Sequence, residues 1–294
     1  MNARWTIPQW VELTTNVDLP VLARSVEELE RMRAASNGIS PQNIADTVLH
    51  DPFMTAKVLR FLQRHRSRRR TADITTIAHA LMMLGLSPFY EHFGEQPVIE
   101  EQLADNAAAL AGMLAVMNRA RHAALYARDW AKLRKDVDPE EVMVAALLHE
   151  LAEMLLWGFA PSRLAMIADM QRHDPAMRSE TAQQAVLGFR LIDMQLAMVK
   201  AWELPGLLHV LMDVQHGRNP RVLNVEYAVA VARHSAQGWD NAALPDDYIA
   251  IGEWLGMAPE AVEQRVRNVT SEAVKEGPWY GIACAEPLEL THPH

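Results

Sequence analysis

Cysteine is almost absent: Cys284 is the only one among 294 residues. A lone cysteine forms no internal disulfide, which fits a reducing cytosol and leaves no cysteine pair for zinc. Nor does Cys284 have a basic sequence neighbour to activate a thiolate. Glycine is sparse, at 13 residues. No stretch shows the period-two alternation of a half-buried strand. Glycine-rich phosphate loops and nucleophile elbows are missing too. Met1-Asn2-Ala3-Arg4-Trp5 lacks the apolar core of a signal peptide. The apolar run 142–148 is far shorter than the ~20 residues of a membrane span. The expectation is a cytoplasmic protein with no membrane partner and no cofactor.

What remains is apolar and helix-forming. Half of the residues are hydrophobic, Met occurs 16 times, and alanine recurs throughout. This composition suits packed helices with a sizeable core. The net charge of −9 favours solubility and argues against nucleic acid as the main partner.

Helix signals recur along the chain. Ser25-Val26-Glu27-Glu28 reads as a capping box, and Asn37-Gly38 as the stop of the helix it opens. Ser40-Pro41, Asp51-Pro52, Thr75 or Thr76, and Ser87-Pro88 read as further starts, with Gly85 as a stop. The alanine-rich stretch 101–133 reads as two helices or one kinked helix. Asp138-Pro139-Glu140-Glu141 opens a helix expected to run unbroken to Trp157-Gly158. Later helices are expected over 161–173, 180–187, 193–202, 205–215, 223–237, 246–255 and 259–275.

Two features could carry chemistry. The first is His149-Glu150, which follows seven apolar residues in what reads as a buried helix. Ionisable groups in such a place are rare unless paired or ligating a metal. An imidazole beside a carboxylate could be half of a divalent-metal site. A lone histidine there is more often a core residue bonded to a carbonyl or carboxylate. The second feature is the run Arg64-His65-Arg66-Ser67-Arg68-Arg69-Arg70. Its like charges repel and belong at the surface. Arg64, Arg66, Arg68, Arg69 and Arg70 could meet a phosphate, a nucleotide, RNA or an acidic protein face. A solvated loop or a protein contact is favoured over nucleic acid, since the sequence nearby lacks stacking aromatics.

Several motifs, in order, resemble the HDOD family, relatives of the HD metal phosphohydrolases. They are Leu19-Pro20, Asp51-Pro52-Phe53-Met54-Thr55-Ala56, Ile74-Thr75-Thr76 leading to Leu84-Gly85, and Arg121-His122-Ala123. Leu147-Leu148-His149-Glu150 follows, then Leu187-Gly188-Phe189, Trp202-Glu203-Leu204-Pro205 and Gln215-His216. The likeness spans roughly 19–236. It implies an all-α, two-lobed multi-helix bundle with an HD-like second lobe. Residues 1–97 would form the N-terminal lobe, 98–240 the HD-like lobe, and 241–294 a helical tail.

The resemblance also implies a ring of histidine and aspartate ligands. Here His122, His149 and His216 stand at such positions and Glu150 replaces the aspartate, as vestigial metal candidates. Leu191 and Arg233 stand where a histidine and the last aspartate are expected. Leucine has no lone pair and arginine repels a cation, so the set looks too depleted for hydrolysis. The implied function is a non-catalytic regulator of bacterial signal transduction that contacts other proteins. One alternative is a divalent-metal phosphohydrolase acting on a nucleotide or cyclic dinucleotide. Another is an anion- or nucleic-acid-binding module at Arg64–Arg70. The sequence leaves the oligomeric state open.

Overall fold

The computed structural model describes residues 5–35, 39–65, 75–174, 176–213, 215, 217 and 219–281. The expected closure at Asn37-Gly38 and the residue Cys284 lie outside them. The described residues are helical, without a named strand. The helices are α1 (Ile7–Asn16), α2 (Ala23–Ala35), α3 (Pro41–Val48), α4 (Pro52–Arg64), α5 (Ile77–Leu84), α6 (Leu86–Phe93), α7 (Ile99–Gln102) and α8 (Ala107–Leu133). They continue as α9 (Pro139–Leu148), α10 (Leu151–Phe159), α11 (Pro161–His173), α12 (Ser179–Val186), α13 (Leu191–Ala201), α14 (Gly206–Met212), α15 (Pro220–Ser235), α16 (Leu244–Leu255) and α17 (Pro259–Val274).

Two compact units share these helices: Met1–Met117 with Leu148–Val210, and Asn118–Leu147 with Leu211–His294. They interleave along the chain, unlike the contiguous lobes 1–97 and 98–240 expected from sequence. The division falls within α8, at the end of α9 and within α14, so none of these three helices belongs wholly to one unit.

The first unit is organised around Asp51. Its carboxylate caps α4, accepting from the amides of Phe53 (2.9 Å) and Met54 (3.0 Å). It also accepts from the amide of Leu22 (2.7 Å) and the hydroxyl of Ser25 (3.0 Å). Burial raises its pKa, opposed by these four hydrogen bonds, which favour the charged form. Ser25 therefore does not open α2 as a local capping box. The helix begins two residues earlier, and the Ser25 hydroxyl turns to a tertiary acceptor. The amide of Ala23 donates to the Glu100 carboxylate (3.0 Å). An isolated parallel bridge, Val21 with Val98, ties the same segment to the start of α7.

α1 was not anticipated, although Thr6 and Gln9 form a capping box around Pro8. It lies against α13. α8 and α10 approach closely at Gly112, where a Cβ would stand about 2.4 Å from the Trp157 ring. The sequence expectation of a break in 101–133 is met early, between α7 and α8. After it, α8 runs for 27 residues.

In the second unit, α17 and the turn after it run along the C-terminal half of α8 through three polar links. Arg265 donates to Asp129 (2.9 Å), and the hydroxyls of Thr270 and Tyr126 share a hydrogen bond (2.6 Å). Arg121 donates through two nitrogens to Glu276 (2.7 and 2.9 Å). α15 meets α16 through His234 Nδ1 and Asp247 Oδ2 at 2.6 Å.

Candidate functional site

Residues 142–148 are all buried, as the apolar run predicts. The helix expected to continue through His149-Glu150 instead breaks there. α9 ends at Leu148 and α10 begins at Leu151, with Glu150 at φ −111 and ψ 22. Counted through the break, Pro139–Phe159 is long and apolar enough to cross a membrane, but most of it is buried within this fold.

A helix end leaves carbonyls and amides without intrahelical partners. Gln195, buried in α13, satisfies one of each. Its Nε2 donates to the carbonyl of Leu148 (2.7 Å), and its Oε1 accepts from the amide of Ala152 (2.9 Å). The break is thus a tertiary feature, and no local signal at 149–150 encodes it. Sequence reasoning missed Gln195. Its signal was a polar residue among Leu191, Ile192, Met194, Leu196 and Met198. At the break Glu150 turns inward and is buried, while His149 keeps part of its surface exposed.

His122 lies on α8 with its ring edge-on to Tyr126, centroids 6.2 Å apart. Its surroundings lower its pKa to about 4: desolvation dominates, Glu276 opposes it, and Arg121 adds to it. The ring is therefore neutral at physiological pH. Leu191 begins α13, donating its amide to Gln183 Oε1 (2.9 Å), and its side chain is buried. Arg233, in the last turn of α15, is exposed. His216 lies outside the described residues.

Among the described residues, no three His, Cys, Asp or Glu side chains gather as a metal site would require. A buried leucine and an arginine at two of the ligand positions do not fit the metal that the resemblance implies.

Of the arginine run, Arg64 is described, in the last turn of α4; Arg66, Arg68, Arg69 and Arg70 lie outside the described residues. Arg64 Nε stands 3.6 Å from the Glu203 carboxylate. Rings pack together around Phe61, one turn before Arg64 on α4. The Phe61 ring meets His65 at 4.0 Å, His92 at 4.4 Å and Phe93 at 5.6 Å between centroids. Two of those rings, His92 and Phe93, come from α6, about thirty residues on, outside the local sequence around the arginines.

The family model for the HDOD domain matches residues 19–218. The chain belongs to the HDOD family. No curated protein matches it. Among solved structures, this HDOD chain is similar to a virulence factor from Campylobacter jejuni subsp. jejuni. The TM-score is 0.63 at 18% identity, over 91% of this chain and 100% of that one. It is also similar to the MmoQ response regulator from Methylococcus capsulatus str. Bath. Here the TM-score is 0.60 at 16% identity, over 85% of this chain and 98% of that one. At such identities the likeness concerns the fold, which is HD-like and all-helical, as the motifs implied.

Proposed function

We propose that this HDOD protein is a non-catalytic regulator of bacterial signal transduction, acting in the cytoplasm by contacting other proteins. The observation that carries the reading is the chemistry at the ligand positions. Leu191 is buried and apolar, Arg233 is cationic, and the His149-Glu150 pair sits at a helix break held by Gln195. Such a set gives a hydrolytic metal too few donors. The signalling context draws on the HDOD domain itself and on the response regulator among its structural relatives. The cytoplasmic placement rests on the single cysteine.

The test is a phosphodiesterase assay on the purified protein with added manganese. Substrates are bis(p-nitrophenyl) phosphate, a mononucleotide and a cyclic dinucleotide. No turnover above the metal-only blank is expected. Turnover abolished by His149→Ala would overturn the reading in favour of a phosphohydrolase using His122, His149, Glu150 and His216.

A further inference from the structure

The C-terminal end of α4 carries charge that its surroundings answer unevenly. Lys57, Arg60 and Arg64 follow one another at three- and four-residue spacing and share a helix face. Lys57 is engaged: Nζ donates to Asp18 Oδ1 (2.6 Å) and to the Leu19 carbonyl (2.9 Å). Arg60 donates from Nη2 to the Thr15 carbonyl (2.9 Å) in the last turn of α1. A cation is favoured there by the helix dipole. Its guanidinium also lies over the buried Trp202 ring, 5.5 Å from the centroid.

Arg64 is held differently. The carboxylate it meets, that of Glu203, is 3.6 Å away, and the two side chains are 47% and 67% exposed. An ion pair this open contributes little and exchanges readily. Glu203 also has φ +55, a left-handed conformation where glycine is the ordinary choice. It closes α13, its amide donating to Lys200 and that of Leu204 to Val199. The acid facing Arg64 is thus loosely bound and stands at a strained position.

Flat rings border this charge. Phe61 is half-buried, and the exposed His65 and His92 rings pack against it. The whole chain carries −9, and within it this helix end gathers three cations, of which Arg64 has the most open pairing.

We propose that this surface docks an acidic segment of a protein partner. A partner carboxylate takes the place of Glu203 on Arg64, and an apolar or aromatic side chain rests on the His65–Phe61–His92 rings. Charge complementarity argues for it, because the acid already seated at Arg64 is a carboxylate. The overall negative charge disfavours a nucleic acid, which brings a longer-ranged negative field. The inference deepens the protein-contact reading above and rests on it.

The experiment uses the full-length protein and a fluorescein-labelled peptide of glutamates around one phenylalanine, read by anisotropy at physiological salt. Arg64→Glu should weaken binding at least about fivefold, and Glu203→Gln should tighten it about two- to fivefold, each the equivalent of one charge pair. His92→Ala should also weaken it. Both Arg64 and Glu203 are exposed, so their variants keep the fold. The proposal is overturned by any of three results: no peptide binding; binding insensitive to Arg64→Glu or loosened by Glu203→Gln; or a single-stranded oligonucleotide of equal charge binding more tightly than the peptide. A failure here leaves the non-catalytic reading standing, since that reading is tested separately by metal binding and metal-dependent turnover.

Discussion

The side-chain amide of Gln195 donates to the carbonyl of Leu148, the last residue of α9, at 2.7 Å. With its other end it accepts from Ala152, in the first turn of α10. One buried side chain thereby bridges the break that contains His149 and Glu150. Gln195→Met keeps the length of the side chain but loses both bonds. It strands a carbonyl and an amide, each costing about 1–3 kcal/mol. Urea unfolding should show a loss of about 2–4 kcal/mol. A loss under about 0.5 kcal/mol, the range of an ordinary surface substitution, would mean that the break is held by something else.

His122 gives the stability a definite pH dependence. Its pKa in the fold is about 4 against an ordinary 6.5. Between those values the unfolded chain binds more protons than the folded one. This contribution is therefore intact above about pH 6.5 and is lost as pH falls towards 4. The full gap corresponds to about 3 kcal/mol. Unfolding free energies measured at stepped pH should fall more steeply in the wild type than in His122→Gln across this window. Parallel curves would show that the His122 pKa is not lowered in the fold.

Glu203 is the only non-glycine residue with positive φ among those described. Replacing it with glycine removes a strain of about 1–2 kcal/mol and gives part of that back as unfolded-chain entropy. Glu203→Gly should raise stability by about 0.5–1 kcal/mol in thermal or urea unfolding, even though the Arg64 pair is lost. Destabilisation of that size would mean that the carboxylate contributes more than an exposed ion pair.

Much of the fold was legible because its signals are local. Ser40-Pro41, Asp51-Pro52, Thr76 and Asp138-Pro139 each start a helix within a residue of where the sequence puts it, and the stretch 161–173 matches α11. Apart from α1, whose start signal at Thr6, Pro8 and Gln9 is local, the failures come from a partner distant in sequence. Ser25 is a good local cap, but Asp51, 26 residues away, claims its hydroxyl. The apolar pattern of 142–156 is continuous, but Gln195, 47 residues from Leu148, makes a break affordable. The rings packed on Phe61 come from α4 and α6 together, and a window around Arg64 misses those of α6. The resemblance puts Leu191 and Arg233 at ligand positions, and in the fold their side chains are respectively buried and exposed. The backbone geometry around His149 and Glu150 was not readable there.

The central claim is that the HD-like positions of this chain do not hold a hydrolytic metal. Its most direct test is calorimetric titration of the metal-stripped protein with manganese, for the wild type and for His149→Ala. The account predicts no stoichiometric binding in the wild type and indistinguishable traces for the two proteins. One equivalent bound tightly by the wild type and lost in His149→Ala would contradict it.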